Sequence, residues 1–529
     1  MTRQAVILAG GKGTRLAARL NGLPKPLVLV CGKPLLQRQI EELRTQGFQR
    51  IVVLVNHRAD AIRDFLARHA NFGIDIEVVD DGEPRGTAGA VLAALDHLDD
   101  RFLVVYGDTL FAIDSDAMWQ SHLTSHADAT LLLHPNDHPA DSDLVEIDAQ
   151  GRITRFWPYP HQPDMWLRNL VNAAFYIVER AALARIAHMA EPSDFAKDLF
   201  PAMLSKGCRL QGYESFEYIK DLGTPDRLDR GERHLASGMV ERARRSQTQA
   251  AVFLDRDGTL NVPNGFIARP RDLELYPYAG QAVKRLHDAE FRTIVVTNQP
   301  VIARGDCDEV ELSRIHAKLE TALGHEGAFL DGLFYCPHHP DGGYEGERAE
   351  LKIICTCRKP ETGLIARAVE RFNIDLSASW FVGDSTSDIA CANRAGLRAV
   401  LVQTGESGRD GKYESQPDFV CADVADAAVF ITHTYPELRA KLQPLFHVCK
   451  AGDRIAVHGM DKTSLSVLRC ELRARGLVAD CNTETGEVHV YAAGAAPTRE
   501  LTFDMSTGQV QIHASATPEK QSPARGVFA

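Results

Sequence analysis

Two stretches of this chain gather the residue types that handle phosphate. The first is Leu8-Ala9-Gly10-Gly11-Lys12-Gly13-Thr14-Arg15-Leu16. An apolar strand running into Gly10, Gly11, Gly13 and Thr14 brings backbone N–H groups up to a polyphosphate, which bulkier side chains would hold off. Arg15 adds a guanidinium able to grip a pyrophosphate through two hydrogen bonds. A tight strand-to-helix turn would also use glycines, but further chemistry follows in order. Pro24-Lys25-Pro26 sets Lys25 where it can reach an α-phosphate. Gly86-Thr87-Ala88-Gly89-Ala90 is a second small-residue loop, with Gly86 and Thr87 opening a helix against a flat base. Asp108 ends a strand in Tyr106-Gly107-Asp108, and Asp221 stands in Lys220-Asp221-Leu222-Gly223. These two offer carboxylates to Mg2+. Either aspartate alone reads as a turn or cap residue; the set does not.

The second stretch is Phe253-Leu254-Asp255-Arg256-Asp257-Gly258-Thr259. Asp255 can attack phosphorus while it holds Mg2+. Asp257, freed by the turn after the strand, can protonate the leaving oxygen and later activate water. Chance acids in a turn would lack partners, and here the partners follow. Thr297-Asn298-Gln299 ends another strand, with Thr297 and Asn298 facing a phosphoryl group. Arg358 and Lys359 supply cations, and Asp384 in Gly383-Asp384-Ser385 completes the Mg2+ ligands expected with Asp255 and Asp257. Between them lie Cys336-Pro337-His338-His339 and Cys355-Thr356-Cys357. Three thiolates and one imidazole in two close pairs match a closed, structural zinc site. Spacing leaves His338 and His339 open as the fourth ligand. Arg358-Lys359 follows Cys357 directly, so zinc would also fix the phosphate-gripping loop, and its loss would disable catalysis.

Elements must position these groups. Strands are expected at Ala5–Leu8, Ile51–Val55, Ile76–Val79 and Phe102–Tyr106, with helices near Leu35–Gln46 and Ala59–Arg68. Such alternation implies a parallel sheet covered by helices. A second α/β unit begins at Ala251, with strands at Val252–Leu254, Thr293–Thr297 and Trp380–Val382. The expected division is a first domain at 1–235, a helical linker at 236–250 and a second domain at 251–430. A small α+β domain at 431–516 and an unstructured polar tail at 517–529 complete it. The small domain reads as a strand at Arg454–His458, a helix around Leu465, Leu468 and Leu472, and hairpins turning near Gly486 and Gly508. Its His447, Cys449, His458, Cys470 and Cys481 show no ligand spacing and read as core or surface residues.

Over 529 residues the formal net charge is −12, which argues against nucleic-acid and anionic-membrane partners. No apolar run approaches the roughly 20 residues of a membrane span. Irregularly spaced cysteines without a secretory signal point to a reducing cytoplasm. Small-molecule substrates are expected, and a homo-oligomer is left open.

With Gly10 to Arg15, Lys25, Gly86-Thr87, Asp108 and Asp221 in order, residues 1 to about 230 resemble the sugar-1-phosphate nucleotidyltransferases. The resemblance implies a Rossmann-like mixed sheet. It also implies attack of a sugar 1-phosphate on the α-phosphorus of a nucleoside triphosphate, with Arg15 and Lys25 neutralising charge. Val171-Asn172-Ala173-Ala174 is similar to the sugar-contacting segment of that family, which makes Asn172 a substrate contact. Where many members carry Glu-Lys-Pro for the sugar phosphate, this chain reads Arg155-Phe156-Trp157-Pro158; Arg152, Arg155 and Arg168 are the substitutes considered.

The Asp255, Thr297, Lys359 and Asp384 motifs resemble the haloacid dehalogenase superfamily of phosphatases, implying a Rossmannoid domain with a zinc loop. Their zinc ligands resemble the heptose 1,7-bisphosphate and histidinol phosphatase branch, which implies Cys336, His338, Cys355 and Cys357 around Zn2+. Ile302-Ala303-Arg304-Gly305 looks like the heptose side, with Arg304 on a second phosphate, while Pro300-Val301 departs from the expected Ser-Gly. The pair implies consecutive steps of nucleotide-activated heptose synthesis for surface polysaccharide or lipopolysaccharide. The C7 phosphate is removed through an aspartyl phosphate, then a nucleotidyl group, GMP from GTP by family, is joined to heptose 1-phosphate. The alternatives are a histidinol-phosphate or other sugar phosphatase with a hexose-1-phosphate transferase, or with a non-catalytic nucleotide-sugar-binding domain.

Overall fold

In the computed structural model, residues 3–514 are described apart from 12, 21, 163, 187–188, 190, 344, 451–452, 483–486 and 492–498. The tail at 517–529 and the turn near Gly486 therefore lie outside the described residues. Among these residues no helix is long and apolar enough to cross a membrane.

The N-terminal region is built on a nine-stranded sheet. Arg3–Leu8 pairs in parallel with Phe48–Val55 on one side and Arg101–Tyr106 on the other. Val171–Glu179 then runs antiparallel to Arg101–Tyr106, so the sheet is mixed and not the purely parallel one read from alternation. The antiparallel strand follows no crossover helix, and no periodicity announces it. Helices Leu35–Thr45 and Ala59–Arg68 bury one apolar face each on this sheet. Buried strand centres such as Val6, Val52 and Val104 are apolar on both faces, which is why they read as short continuous runs.

The second sheet is six parallel strands, in the order Gly332–Cys336, Arg292–Asn298, Ala251–Leu254, Trp380–Gly383, Arg398–Val402 and Phe419–Cys421. Parallel order puts every C-terminal strand end on one edge. Asp255, Thr297, Cys336 and Asp384 all sit at that edge.

Between the sheets, the stretch read as helical holds the last residue of the helix Pro225–Ala236 and a short helix Met239–Arg242. Beyond it the chain spends its polar groups on both neighbours. Arg244 donates twice to Glu42 at 2.8 Å, and Gln249 is buried beside Ile374. The C-terminal residues form a five-stranded sheet with the helix Lys462–Ala474. Glu487–Tyr491 pairs with Val478–Asn482, and Arg499–Asp504 forms a hairpin with Gln509–Ala514 through Gly508 at φ 69°. One apolar core runs on from the phosphatase-like sheet through Trp380, Phe430, Tyr435 and Leu442 to Leu468 and Phe503.

Candidate functional site

The glycine loop closes a cavity of about 460 Å³ bordered by Gly10, Gly11, Lys25, Gly86, Thr87 and Asp108. Gly13 has φ 62°, and a Cβ there would lie 2.8 Å from Leu20 and 3.0 Å from Lys25, so glycine is required. Gly86, at φ 76°, lies against the Ser193 carbonyl, and the Thr87 hydroxyl donates to Asp194 at 2.8 Å. Residues 193–195 thus back the second loop. Thr14 and Arg15 are exposed, and neither lines this cavity.

The two transferase aspartates meet because Tyr218–Asp221 pairs antiparallel with Thr109–Ala112, setting Asp221 opposite Thr109, next to Asp108. Lys25 is ion-paired with Asp108, and Asp221 with Arg227. Gly223 is the point of convergence. A Cβ there would lie 2.7 Å from Asp221 Oδ1, 3.0 Å from Lys25 Nζ and 3.5 Å from Arg15 Nη2. Cations and carboxylates gathered around one glycine suit a nucleoside triphosphate carrying a divalent ion. Asn172 opens the strand Val171–Glu179. The substitutes for the missing lysine are engaged elsewhere: Arg152 donates to Asp148 at 2.8 Å, Arg155 lies over Trp157, and Arg168 faces Glu320 of the other domain.

One residue in this cavity gave no signal in the sequence. Asp81 lies in its wall, and its Oδ1 is buried with no hydrogen-bond partner. Burial pushes its carboxyl above the ordinary value.

In the second site Asp255, Asp384 and Asp388 bring carboxylate oxygens within 4.8 Å of one another. Lys359 Nζ donates to Asp255 at 2.7 Å, contacts Asp388 at 2.7 Å and donates to the Val296 carbonyl at 2.8 Å. Three buried carboxylates around one ammonium leave an excess of negative charge. Burial, against the pull of Lys359, carries Asp255 up to about 6. Burial, then Asp388 and Asp255 beside it, carries Asp384 to about 8. Such a set fits a divalent cation, which supplies the missing positive charge. Asp388 thus joins Asp255 and Asp384 in the carboxylate cluster, and the Asp257 side chain lies outside it. The Asp257 carboxylate is taken up by Arg256 at 2.7 Å, Gln299 at 2.9 Å and Asn261 at 3.0 Å.

Asn298 and Lys359 exchange hydrogen bonds at 3.0 and 3.1 Å, which fixes the lysine backbone. The Thr297 hydroxyl is buried and accepts from Gln299 at 2.9 Å. Arg304 pairs with Asp306 and lies over Phe266. Arg358 donates to the His338 carbonyl at 3.1 Å, tying the loop that carries Lys359 to the cysteine cluster.

In that cluster Cys336, Cys355 and Cys357 are free thiols with sulfurs 3.2, 3.3 and 3.6 Å apart. His338 Nδ1 lies 3.3 Å from the Cys357 sulfur and 3.6 Å from that of Cys336. These edges approach the roughly 3.8 Å that tetrahedral ligands about 2.3 Å from zinc would leave. His339 points away, its Nδ1 accepting from the Asp341 N–H. Among the described residues no third metal-ligand group occurs: Cys470 is a core side chain, and His447 bonds the Gln443 carbonyl. The side chains of His458 and Cys481 lie outside the described residues.

Known proteins match the two site-bearing regions separately. A nucleotidyl transferase family model matches residues 4–238, and a HAD-hydrolase-like model matches residues 356–427. The D-glycero-beta-D-manno-heptose-1,7-bisphosphate 7-phosphatase of Haemophilus ducreyi is 36% identical over 183 residues, 34% of this chain and 97% of that protein. The D-glycero-D-manno-heptose-1,7-bisphosphate 7-phosphatase of Thermosynechococcus vestitus is 41% identical over 194 residues, 35% of this chain and 97% of its own. Among solved structures, HddC from Yersinia pseudotuberculosis aligns at 27% identity with a TM-score of 0.39, over 44% of this chain and all of that one.

Proposed function

We infer the function of a chain that belongs to the heptose-1,7-bisphosphate 7-phosphatase family through its HAD-like region and carries a nucleotidyl transferase domain ahead of it. It takes D-glycero-D-manno-heptose 1,7-bisphosphate, removes the C7 phosphate, and joins the resulting heptose 1-phosphate to GMP from GTP. The product is an activated heptose for surface polysaccharide. The observation that supports this reading is the coexistence of two clusters of phosphate-handling residues in one chain: Asp255, Lys359, Asp384 and Asp388 in one, Arg15, Lys25, Asp108 and Asp221 in the other.

In the phosphatase site Asp255 attacks the C7 phosphorus as the bond from phosphorus to the sugar oxygen breaks, and Asp257 gives that oxygen a proton. Asp257 then takes a proton from the water that hydrolyses the aspartyl phosphate, restoring both groups. Lys359 orients Asp255 and offsets phosphoryl charge. Mg2+, held by Asp255, Asp384 and Asp388, would neutralise charge on the transferring group. Zn2+ held by Cys336, His338, Cys355 and Cys357 would be structural, fixing Arg358 and Lys359.

In the transferase site the heptose 1-phosphate oxygen attacks the α-phosphorus, and pyrophosphate leaves toward Arg15 and the glycine loop. Asp108 and Asp221 would hold Mg2+. Asp81 favours guanine: a carboxylate with an unpartnered buried oxygen accepts from a base edge bearing adjacent N–H donors, which guanine presents and adenine does not.

The test supplies heptose 1-phosphate with Mg2+ and ATP, GTP, CTP or UTP in turn, and follows pyrophosphate. Release with GTP well above the others supports the reading; equal release with all four contradicts the guanine assignment. No release with any of them contradicts the transferase half.

A further inference from the structure

Asp257 of the phosphatase site is gripped by the side chain of its neighbour Arg256. Arg256 separates Asp255 from Asp257, and its side chain is wholly buried. Its Nε and Nη2 donate to Asp257 Oδ1 at 3.0 and 2.9 Å, and Nη2 also reaches Oδ2 at 2.7 Å. Gln299 links the same Nη2 to Asp257 Oδ2, 2.9 Å from each. The remaining nitrogen, Nη1, meets His316 Nε2 at 3.3 Å.

Geometry fixes the role of that imidazole. Arg256 can only donate, so His316 Nε2 accepts and its ring is neutral. Burial, and then Arg256 and Arg168, keep His316 well below its ordinary pKa, which agrees. Without this acceptor a buried guanidinium would hold an unsatisfied N–H and would turn toward another partner.

His316 lies on the helix Glu309–His325, and Glu320 follows one turn later on the same face. Glu320 is buried, yet its partners belong to the transferase domain. The Asn169 N–H donates to it at 2.7 Å, and Arg168 Nε lies 3.8 Å away. Beside it Thr321 exchanges hydrogen bonds with the Leu167 backbone at 3.0 and 3.1 Å. Pro139 packs against Gly324, where a Cβ would lie 2.4 Å from the proline ring. One helix is therefore seated on the transferase domain at one end and presents the acceptor that orients Arg256 in its middle.

We propose that His316 and Glu320 are positioning residues of the phosphatase site, through which the transferase segment Leu167–Asn169 sets the grip of Arg256 on Asp257. This rests on the phosphatase reading above. It makes dephosphorylation depend on domain docking, although no transferase residue enters the phosphatase site.

The experiment uses the full chain with His316→Leu, His316→Gln and Glu320→Ala. Phosphate release is measured from heptose 1,7-bisphosphate and from p-nitrophenyl phosphate, and pyrophosphate release from GTP with heptose 1-phosphate. His316→Leu is expected to lower phosphatase kcat by roughly tenfold to a hundredfold, as misplaced catalytic groups do, with KM changed by less than about threefold. His316→Gln, whose amide oxygen can replace Nε2 as acceptor, is expected to recover most of the loss. Glu320→Ala is expected to lower phosphatase kcat in the same sense, and all three to keep the wild-type pyrophosphate rate. Equal kcat values for wild type, His316→Leu and Glu320→Ala would overturn the proposal. So would His316→Leu and His316→Gln failing alike, or pyrophosphate release falling in step. Wild type cleaving only p-nitrophenyl phosphate would sink the heptose assignment and leave the positioning test readable. Wild type cleaving neither would overturn both.

Discussion

At the scale of single residues the two chemistries separate cleanly. Asp255 is buried, contacts Lys359 at 2.7 Å and has no role near the glycine loop. Asp255→Asn is therefore expected to lower phosphate release by roughly a thousandfold or more while pyrophosphate release stays at the wild-type rate. The mirror experiment is Gly223→Ala. The added methyl would lie 2.7 Å from Asp221 Oδ1 and 3.0 Å from Lys25 Nζ, so pyrophosphate release is expected to collapse and phosphate release to persist. A kinetic assay of both products on each variant checks the pair. Asp108, Asp255 and Asp384 were legible because carboxylates of a phosphate site gather at strand ends, and the glycines and Lys359 because the loops around them need those residue types. Arg256 stood in plain view between two read aspartates and drew no notice, since a lone arginine carries no spacing. Its partner His316 is 60 positions away, and nothing local marks it. Asp388 is not legible as a cluster member, because only the folded helix turns it toward Asp255 and Asp384.

At the scale of elements, loops built on rigid strands carry the function, and the bonds that hold those loops set the vulnerabilities. Arg358 reaches back to the His338 carbonyl, so chelating the cysteine cluster is expected to abolish phosphate release and spare pyrophosphate release. Zinc content measured beside activity checks this. A second fixture is Asp331, which precedes Gly332–Cys336 and accepts from the Thr293 N–H at 2.8 Å, from Arg292 at 3.1 Å and from His287. Burial alone would raise its pKa, but Arg292 and His287 overcome this and hold it at about 2, below the ordinary 3.8. A depressed carboxylate contributes stability above its unfolded pKa and loses it as pH falls from about 4 toward 2, on the order of 2 kcal/mol in all. Asp331→Asn is expected to remove that acid-side slope, read as denaturant midpoint against pH. Strand positions here followed from short apolar runs, whereas the antiparallel Val171–Glu179 did not, because nothing in a run of residues states its direction. The polar stretch after Arg242 misled as a helix for a related reason: its groups serve two neighbouring surfaces, which a linear reading does not see.

At the scale of the whole molecule, three folded parts share surfaces. Trp380, Phe419, Phe430 and Tyr435 pack edge-on or tilted in one aromatic group with ring centroids 4.7 to 6.2 Å apart, joining the phosphatase sheet to the helix Tyr435–Val448. Arg398 of that sheet and Tyr435 both reach the buried Glu471. Ending the chain at residue 434 would expose that apolar group, so the truncated protein is expected to unfold at a temperature several degrees lower, or to aggregate. Thermal unfolding followed by phosphate release checks it. The proposed function places two successive reactions in one molecule. The most direct test of that order incubates the chain with heptose 1,7-bisphosphate, GTP and Mg2+, and identifies the nucleotide sugar by mass. Formation of GDP-heptose carrying no C7 phosphate, with one phosphate and one pyrophosphate released per product, is the expected result. A GDP-linked sugar that keeps its C7 phosphate, or phosphate release with no nucleotide sugar at all, would contradict the account.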